Sequence, residues 1–181
     1  MYRFLIGLAF AILIAGCTWQ AEVTPRPPHA AIASADPLAT QAGMEILNKG
    51  GNAFDAAVAV AAALAVVEPA SSGLGGGGFF LLHIAAEDRD VFVDAREHAP
   101  MAATRDMYLD ADGTPIRGAS TDGPLAAGIP GEAAGMAWLA EKYGRLPLAE
   151  SIAPAITYAD AGFEMTRRSQ LGLRFRKSAY E

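Results

Sequence analysis

The chain has 181 residues, a formal net charge of −6, 52% hydrophobic residues and 19% charged residues. This composition is typical of a globular domain that buries a core, and it excludes a disordered chain. The acidic balance and the scattering of most basic residues disfavour a nucleic-acid partner. One basic cluster, interpreted as a solvated polar stretch, consists of Arg167, Arg168, Arg174, Arg176 and Lys177.

The first residues have the pattern of an export signal. Arg3 supplies a positive charge, residues 4–15 are almost wholly apolar, and small residues precede Cys17. The apolar run is shorter than the ~20 residues that span a bilayer. We therefore predict a signal peptide over residues 1–16.

Cys17 is the single cysteine, which excludes a disulfide within the chain and a CxxC metal or redox site. Small residues directly before a cysteine resemble a bacterial lipobox, so we predict that Cys17 is lipidated and begins a linker over residues 17–29. The alternative is an ordinary signal peptide with an incidental cysteine. Thr18, where an inner-membrane retention signal usually has Asp, favours a lipoprotein anchored in the outer membrane and exposed to the periplasm or cell surface.

The globular part, residues 30–181, begins with a predicted short strand over residues 30–34. Asp36 before Pro37 indicates the start of a helix, which ends at the Gly-Gly pair of residues 50–51.

A second helix is predicted over Ala53–Val67, with Asn52 as its N-cap. It is apolar on nearly every side, which is typical of a buried helix. Asp55 is the exception, and we expect its carboxylate to bond nearby backbone or a polar side chain.

Two β-rich runs follow, over residues 79–86 and 91–95. They are separated by the charged residues 87–90, and this pattern predicts a hairpin.

The remaining elements are predicted from periodicity and glycine stops. Residues 101–122 are predicted as a loop and residues 125–129 as a further strand. Helices are predicted over residues 131–143 and 148–161, and no element is predicted after Thr166. Antiparallel strands with helices packed on them make an α+β domain.

Residues 73–78, GLGGGG, match G-x-G-x-x-G literally. A dinucleotide site needs those glycines after a strand and before a helix. Here they follow a helix and precede a strand, so no nucleotide cofactor is expected. The glycines instead offer backbone that a ligand or another segment can approach closely, or a tight helix-to-strand connection.

Arg96 follows an apolar strand and lies beside Asp94 and Glu97. Its planar fork of donors suits a carboxylate ligand. An ion pair with Asp94 or Glu97 is the other interpretation, and the residues alone leave both open. His83 is interpreted as a packed or edge residue, and His98 has no serine or cysteine partner that the sequence singles out. No metal-ligand spacing and no catalytic set of residues is evident.

Several stretches, in this order and spacing, resemble the γ-glutamyltransferase family. They are residues 33–40 (ASADPLAT), 50–59 (GGNAFDAAVA), 73–79 (GLGGGGF) and 94–100 (DAREHAP), with Pro-Gly at 130–131 and Lys-Tyr-Gly at 142–144. The likeness runs from about residue 30 to residue 168 and corresponds to the N-terminal portion of the family's large subunit.

The resemblance implies an N-terminal-nucleophile hydrolase with a four-layer αββα fold, incomplete in this chain. Such enzymes are precursors that cut themselves, and a threonine at the start of the small subunit becomes the nucleophile. They transfer the γ-glutamyl group of glutathione or related amides to water or amino acids. In the family the arginine of the Asp-x-Arg-Glu segment holds the glutamyl α-carboxylate, a role that maps onto Arg96.

The family's catalytic threonine lies far downstream, and Thr40, Thr104 and Thr121 come too early to be that residue. No catalytic residue, metal or cofactor is therefore expected here. The chain alone is expected to be an inactive fragment whose partners are the rest of the large subunit, the small subunit, glutathione and a membrane reached by the lipid anchor. The alternatives are a related acylase of the same fold, acting on β-lactam side chains or poly-γ-glutamate, and a non-catalytic envelope lipoprotein.

Overall fold

The computed structural model describes residues 29–175 and divides the chain into two units, residues 1–31 and 32–181. The predicted signal peptide, Cys17 and most of the linker lie outside the described residues. In the second unit the described elements are α1 (Pro37–Asn48), α2 (Ala53–Val67), β1 (Gly78–Ile84), β2 (Arg89–Ala95), a 3-10 helix (Pro124–Ala126), α3 (Glu132–Tyr143), α4 (Leu148–Ala161) and α5 (Arg167–Phe175).

Helix α1 begins as predicted. The Asp36 side chain accepts a hydrogen bond from the Leu38 amide at 2.9 Å, and Pro37 occupies the first turn. The predicted strand over residues 30–34 is wrong, because the described sheet contains only β1 and β2 and provides no neighbour for it. The Ser34 hydroxyl instead lies 2.8 Å from the Asp36 carbonyl oxygen and 2.7 Å from the Thr40 hydroxyl.

Helix α2 is the buried centre of the fold, as predicted. It packs against α1, α3 and α4, and its buried apolar residues are Ala56, Val58, Ala59, Ala62, Ala63 and Val67. Asn52 and Asp55 form a reciprocal capping box at its start. The many alanines allow the neighbouring helix axes to approach closely, which is why a 15-residue helix is covered on nearly every side.

The predicted hairpin is confirmed. Strands β1 and β2 pair antiparallel from Gly78 opposite Ala95 to Ile84 opposite Arg89, and residues 85–88 form the turn. Leu82 and Ile84 are buried against the helices. Alternate residues lie on the other face, where the exposed apolar side chains are Phe79, Leu81 and Phe92. Helices on one face of a small antiparallel sheet make this an α+β arrangement.

The helices α3 and α4 agree with the predictions, whereas two other segments differ. Residues 125–129 form part of the 3-10 helix and a single bridge between Ile129 and His98 instead of a strand. The expectation of no element after Thr166 is also wrong, because α5 follows it. The Thr166 hydroxyl accepts a hydrogen bond from the Ser169 amide at 3.2 Å and so caps this helix.

Among the described residues, none of the helices is both long and apolar enough to cross a membrane.

Candidate functional site

An open cavity of about 620 Å³ lies where the end of α2, the glycine segment and the end of β2 meet. Both polar and apolar groups line it: Ala61, Leu64, Pro69, Ala70, Ser71, Ser72, Gly73, Gly75, Gly76, Gly77, Arg96, Glu97 and Glu132. The volume is within the range of small-molecule sites, which are about 300–1,000 Å³.

The glycine segment allows three backbone segments to meet at the floor of this cavity. The carbonyl oxygen of Gly76 accepts hydrogen bonds from the amides of Gly131 and Glu132, both at 3.1 Å. A Cβ atom on Gly77 would lie 2.7 Å from the Cα atom of Arg96, which is closer than real Cβ contacts. The predicted close approach of another chain segment is therefore present, and it places the Arg96 backbone directly against the glycines.

Arg96 reaches the cavity from the residue after β2. Its guanidinium Nε lies 3.1 Å from Glu97 Oε2, and its Cζ atom lies 5.7 Å from the centre of the Phe79 ring. Asp94 contacts the Arg96 backbone instead, accepting a hydrogen bond from its amide at 3.0 Å. Of the two ion pairs considered from the sequence, the one with Glu97 is formed. The Arg96 side chain is 54% exposed, so this pair is weak, and a guanidinium has further donors for a ligand.

Glu132, which the sequence analysis missed, is a second carboxylate in the cavity wall. It is the first residue of α3 and is half-buried. Burial raises the pKa of the Glu132 carboxyl, and the nearby charge of Glu97 raises it further. The available sequence signal was its position directly after the predicted Pro-Gly helix start.

The other candidates lie away from the cavity. His83 is an exposed residue of β1 whose Nδ1 atom is 2.9 Å from Asp90 Oδ1, in agreement with an edge role. His98 is exposed, and its backbone exchanges two hydrogen bonds with Ile129. Asp55 lies at the opposite end of α2, where its carboxylate accepts backbone hydrogen bonds as predicted.

The cavity lining offers one guanidinium, from Arg96, and two carboxylates, from Glu97 and Glu132, beside open backbone. The guanidinium suits a carboxylate on a small ligand. Within residues 29–175, no group of three or more His, Cys, Asp and Glu side chains could hold a metal ion.

The chain is similar to proteins of one family. The Gamma-glutamyltranspeptidase family model matches residues 39–177. A glutathione hydrolase proenzyme from Pseudomonas sp. (strain A14) is 53% identical over 132 residues, covering 73% of this chain and 23% of the relative. The corresponding Escherichia coli (strain K12) proenzyme is 42% identical over 177 residues, covering 88% of this chain and 30% of the relative.

The fold leads to the same family. The crystal structure of Helicobacter pylori gamma-glutamyltranspeptidase matches with a TM-score of 0.79 and 42% identity, over 85% of this chain and 44% of that one. Measured against the two curated proenzymes, the chain spans less than a third of their length. The length of the family match and the shared fold establish that this chain belongs to the γ-glutamyltranspeptidase family.

Proposed function

We propose that this chain is the N-terminal part of the large subunit of an exported γ-glutamyltransferase that also hydrolyses glutathione. Arg96 is the residue that binds the α-carboxylate of the γ-glutamyl group. The observation that carries this proposal is the guanidinium of Arg96 in the wall of a cavity that is also lined by glycine backbone, two carboxylates and the residues around the end of α2.

Arg96 has the geometry for exchange between Glu97 and a substrate. Its pair with Glu97 is exposed and contributes at most about 1 kcal/mol. A charge-assisted hydrogen bond to a ligand contributes roughly 1.5–3 kcal/mol, and a carboxylate can take two parallel donors of the fork. A substrate carboxylate can therefore compete with Glu97 for the Arg96 guanidinium.

The chemical step belongs to a threonine outside these 181 residues. Its hydroxyl attacks the γ-carbonyl carbon and its own amine accepts the proton. The amide bond breaks, the threonine amine passes that proton to the leaving nitrogen, and cysteinylglycine leaves when the donor is glutathione. Water or an amino acid then takes the glutamyl group from the threonine ester. The relatives are named proenzymes, which supports a precursor that cuts itself. The part played by this chain is to hold the glutamyl group in position for that attack.

The partners in this proposal are the rest of the large subunit, the small subunit and glutathione. The apolar start of the sequence and Cys17 support export and a lipid anchor in the outer membrane. Replacing Cys17 by Ser is expected to abolish fatty-acid labelling and to move the protein from the membrane fraction to the soluble fraction. A variant that stays membrane-bound, from a parent that carries no fatty-acid label, would contradict lipidation.

The enzymatic proposal is tested with the protein of the complete coding sequence. We expect a self-processed enzyme that releases glutamate from glutathione, and faster loss of glutathione when an amino-acid acceptor is added. A self-processed enzyme that leaves glutathione intact would contradict the glutathione assignment. If it cleaved glutaryl β-lactams or poly-γ-glutamate instead, a related acylase would be the better description. A stable protein with neither processing nor activity would favour a non-catalytic envelope lipoprotein.

A further inference from the structure

Helix α5 docks against the C-terminal end of α2, next to the cavity wall. Arg168 Nε lies 2.9 Å from Oε1 of Glu68, the residue that follows α2. The Ser169 hydroxyl, itself buried, donates a hydrogen bond to the Val67 carbonyl oxygen at 3.2 Å. Basic residues of this region were expected to be solvated, and for Arg168 that expectation is only half right. Its side chain is 72% exposed, but it contacts a carboxylate that is 5% exposed.

The position of Glu68 is unfavourable for a lone charge in two ways. Burial removes the carboxylate from water, and the C-terminal end of a helix carries partial negative charge. Arg168 compensates both. Within the described part of the chain, Glu68 Oε1 has no hydrogen bond of good geometry, so its contact with Arg168 is mainly a charge pair. A lysine should therefore replace much of it.

Glu68 is joined directly to the wall of the cavity. Its carbonyl oxygen accepts hydrogen bonds from the amides of Ser71 at 3.2 Å and Ser72 at 3.1 Å. The turn closed by these bonds belongs to residues 69–73, all of which line the cavity. Helix α5 supports the same turn from outside, because a Cβ atom on Gly172 would lie 2.9 Å from the Cβ atom of Ala70.

We propose that Arg168 is a positioning residue for the cavity that holds Arg96. It acts through Glu68 on the wall formed by residues 69–73, and it does not itself line the cavity. The identity of the ligand as a γ-glutamyl group rests on the proposed function. Without its cation, the buried Glu68 carboxylate loses its charge partner and must move toward water, and this movement loosens the turn that the Glu68 carbonyl oxygen closes.

The test uses the complete, self-processed enzyme and the substitution Arg168→Met. We expect KM for glutathione to rise roughly three- to thirtyfold, with kcat within about twofold of the parent, because the wall contributes to binding in both ground and transition states. Arg168→Lys should stay close to the parent. The double variant Glu68→Gln/Arg168→Met should recover most of the loss, since it removes both charges. Arg167→Met, on an exposed neighbouring arginine, is the matched control and should leave KM unchanged.

A second measurement separates this inference from the proposed function, because it needs no activity. Amide hydrogen exchange at Ser71 and Ser72 should be faster in Arg168→Met than in the parent and should return in the double variant. This result would uphold the positioning role even in a protein that does not cleave glutathione. Unchanged exchange would overturn it. The proposal would also be overturned if kcat fell and KM rose to the same extent in the single and the double variant, since that would indicate general damage to the fold. If Arg168→Met fails to fold, Arg168→Lys and the double variant are compared with the parent instead. KM and amide exchange close to the parent values in both would support the positioning role, and a large change in either variant would overturn it.

Discussion

The Asn52 side chain donates a hydrogen bond from Nδ2 to the backbone carbonyl oxygen of Tyr143, 2.6 Å away. This bond joins the first turn of α2 to the last turn of α3. Beside it, Asp55 Oδ2 accepts hydrogen bonds from the amides of Asn52 at 2.8 Å and Arg145 at 2.9 Å. Two helix ends are thus held by one buried polar network. Since α3 begins at Glu132 in the cavity wall, the network also fixes the helix that carries this carboxylate.

Removal of the centre of that network should be costly. Asp55 is fully buried, and Asp55→Ala leaves the amides of Asn52, Arg145 and Leu146 without their acceptor. We expect the free energy of unfolding to fall by about 3–5 kcal/mol, measured by chemical denaturation of the purified protein. Asp112→Ala, in an exposed loop, is the control and should change stability by less than about 0.5 kcal/mol. A loss below about 1 kcal/mol for Asp55→Ala would mean that water replaces the carboxylate.

The glycine segment offers a matched pair of substitutions. A Cβ atom on Gly77 would meet the Arg96 backbone, with Cα at 2.7 Å and the carbonyl carbon at 2.8 Å, whereas a Cβ atom on Gly75 would have no atom within 4 Å. Gly77→Ala should therefore lower the free energy of unfolding by roughly 1–3 kcal/mol, because backbone must shift. Gly75→Ala should leave stability nearly unchanged. Equal effects of the two substitutions, measured by thermal unfolding, would contradict the close contact between the glycines and Arg96.

The pKa of Glu132 gives a prediction about pH. Burial, and then the charge of Glu97, raise the pKa of the folded carboxyl above its unfolded value. The folded state therefore binds a proton more tightly, so Glu132 lowers the stability as pH rises through its unfolded and then its folded pKa. Glu132→Gln should stabilise the protein at pH 7. This gain should shrink as the pH falls through the raised folded pKa and should be absent below the unfolded value of about 4.5.

Glu141→Gln, on the exposed face of the same helix, is the matched control for this comparison. It should give no gain at either pH. Unfolding by urea at pH 7 and pH 4 measures both variants against the parent. A gain for Glu132→Gln that is the same at both pH values would show that charge is not its cause.

The helices and the hairpin could be predicted because their signals are local. Asp36 and Asn52 are caps whose side chains bond the next turn, and the strands alternate around a charged turn. Helix α5 could not be predicted in this way. Its sequence is mostly polar, and it is held by contacts with residues that lie far earlier in the sequence. These include the contacts of Arg168 and Ser169 with the end of α2. For residues 30–34 the sequence predicted a strand that the structure does not contain. A segment of β-forming residues becomes a strand only where a neighbouring strand pairs with it.

The candidate site was only partly accessible to the same reasoning. Arg96 could be singled out because a guanidinium that follows an apolar strand suits a carboxylate ligand, although the residues alone left an ion pair equally open and only the family resemblance favoured substrate binding. Glu132 could not, because its place in the cavity depends on a hydrogen bond between its amide and Gly76, made across 56 residues of sequence. The choice between Glu97 and Asp94 as partner of Arg96 also depended on backbone geometry at the end of β2.

Arg96 provides the most direct test of the binding role. In the complete enzyme, Arg96→Ala should raise KM for glutathione about ten- to hundredfold, because a charge-assisted contact to the α-carboxylate is lost. Arg96→Lys should give a KM between those of the parent and of Arg96→Ala, since lysine keeps the charge but lacks the planar fork of the guanidinium. The matched control is Arg89→Ala on the same hairpin, whose guanidinium contacts Glu87 at the exposed turn.

Steady-state kinetics with glutathione, and with an analogue whose α-carboxylate is replaced by an amide, test whether Arg96 binds the carboxylate. The amide analogue should be a poor substrate for the parent and should be affected little by Arg96→Ala. An equal loss on both substrates would show that Arg96 supports the fold of the cavity and does not bind the carboxylate.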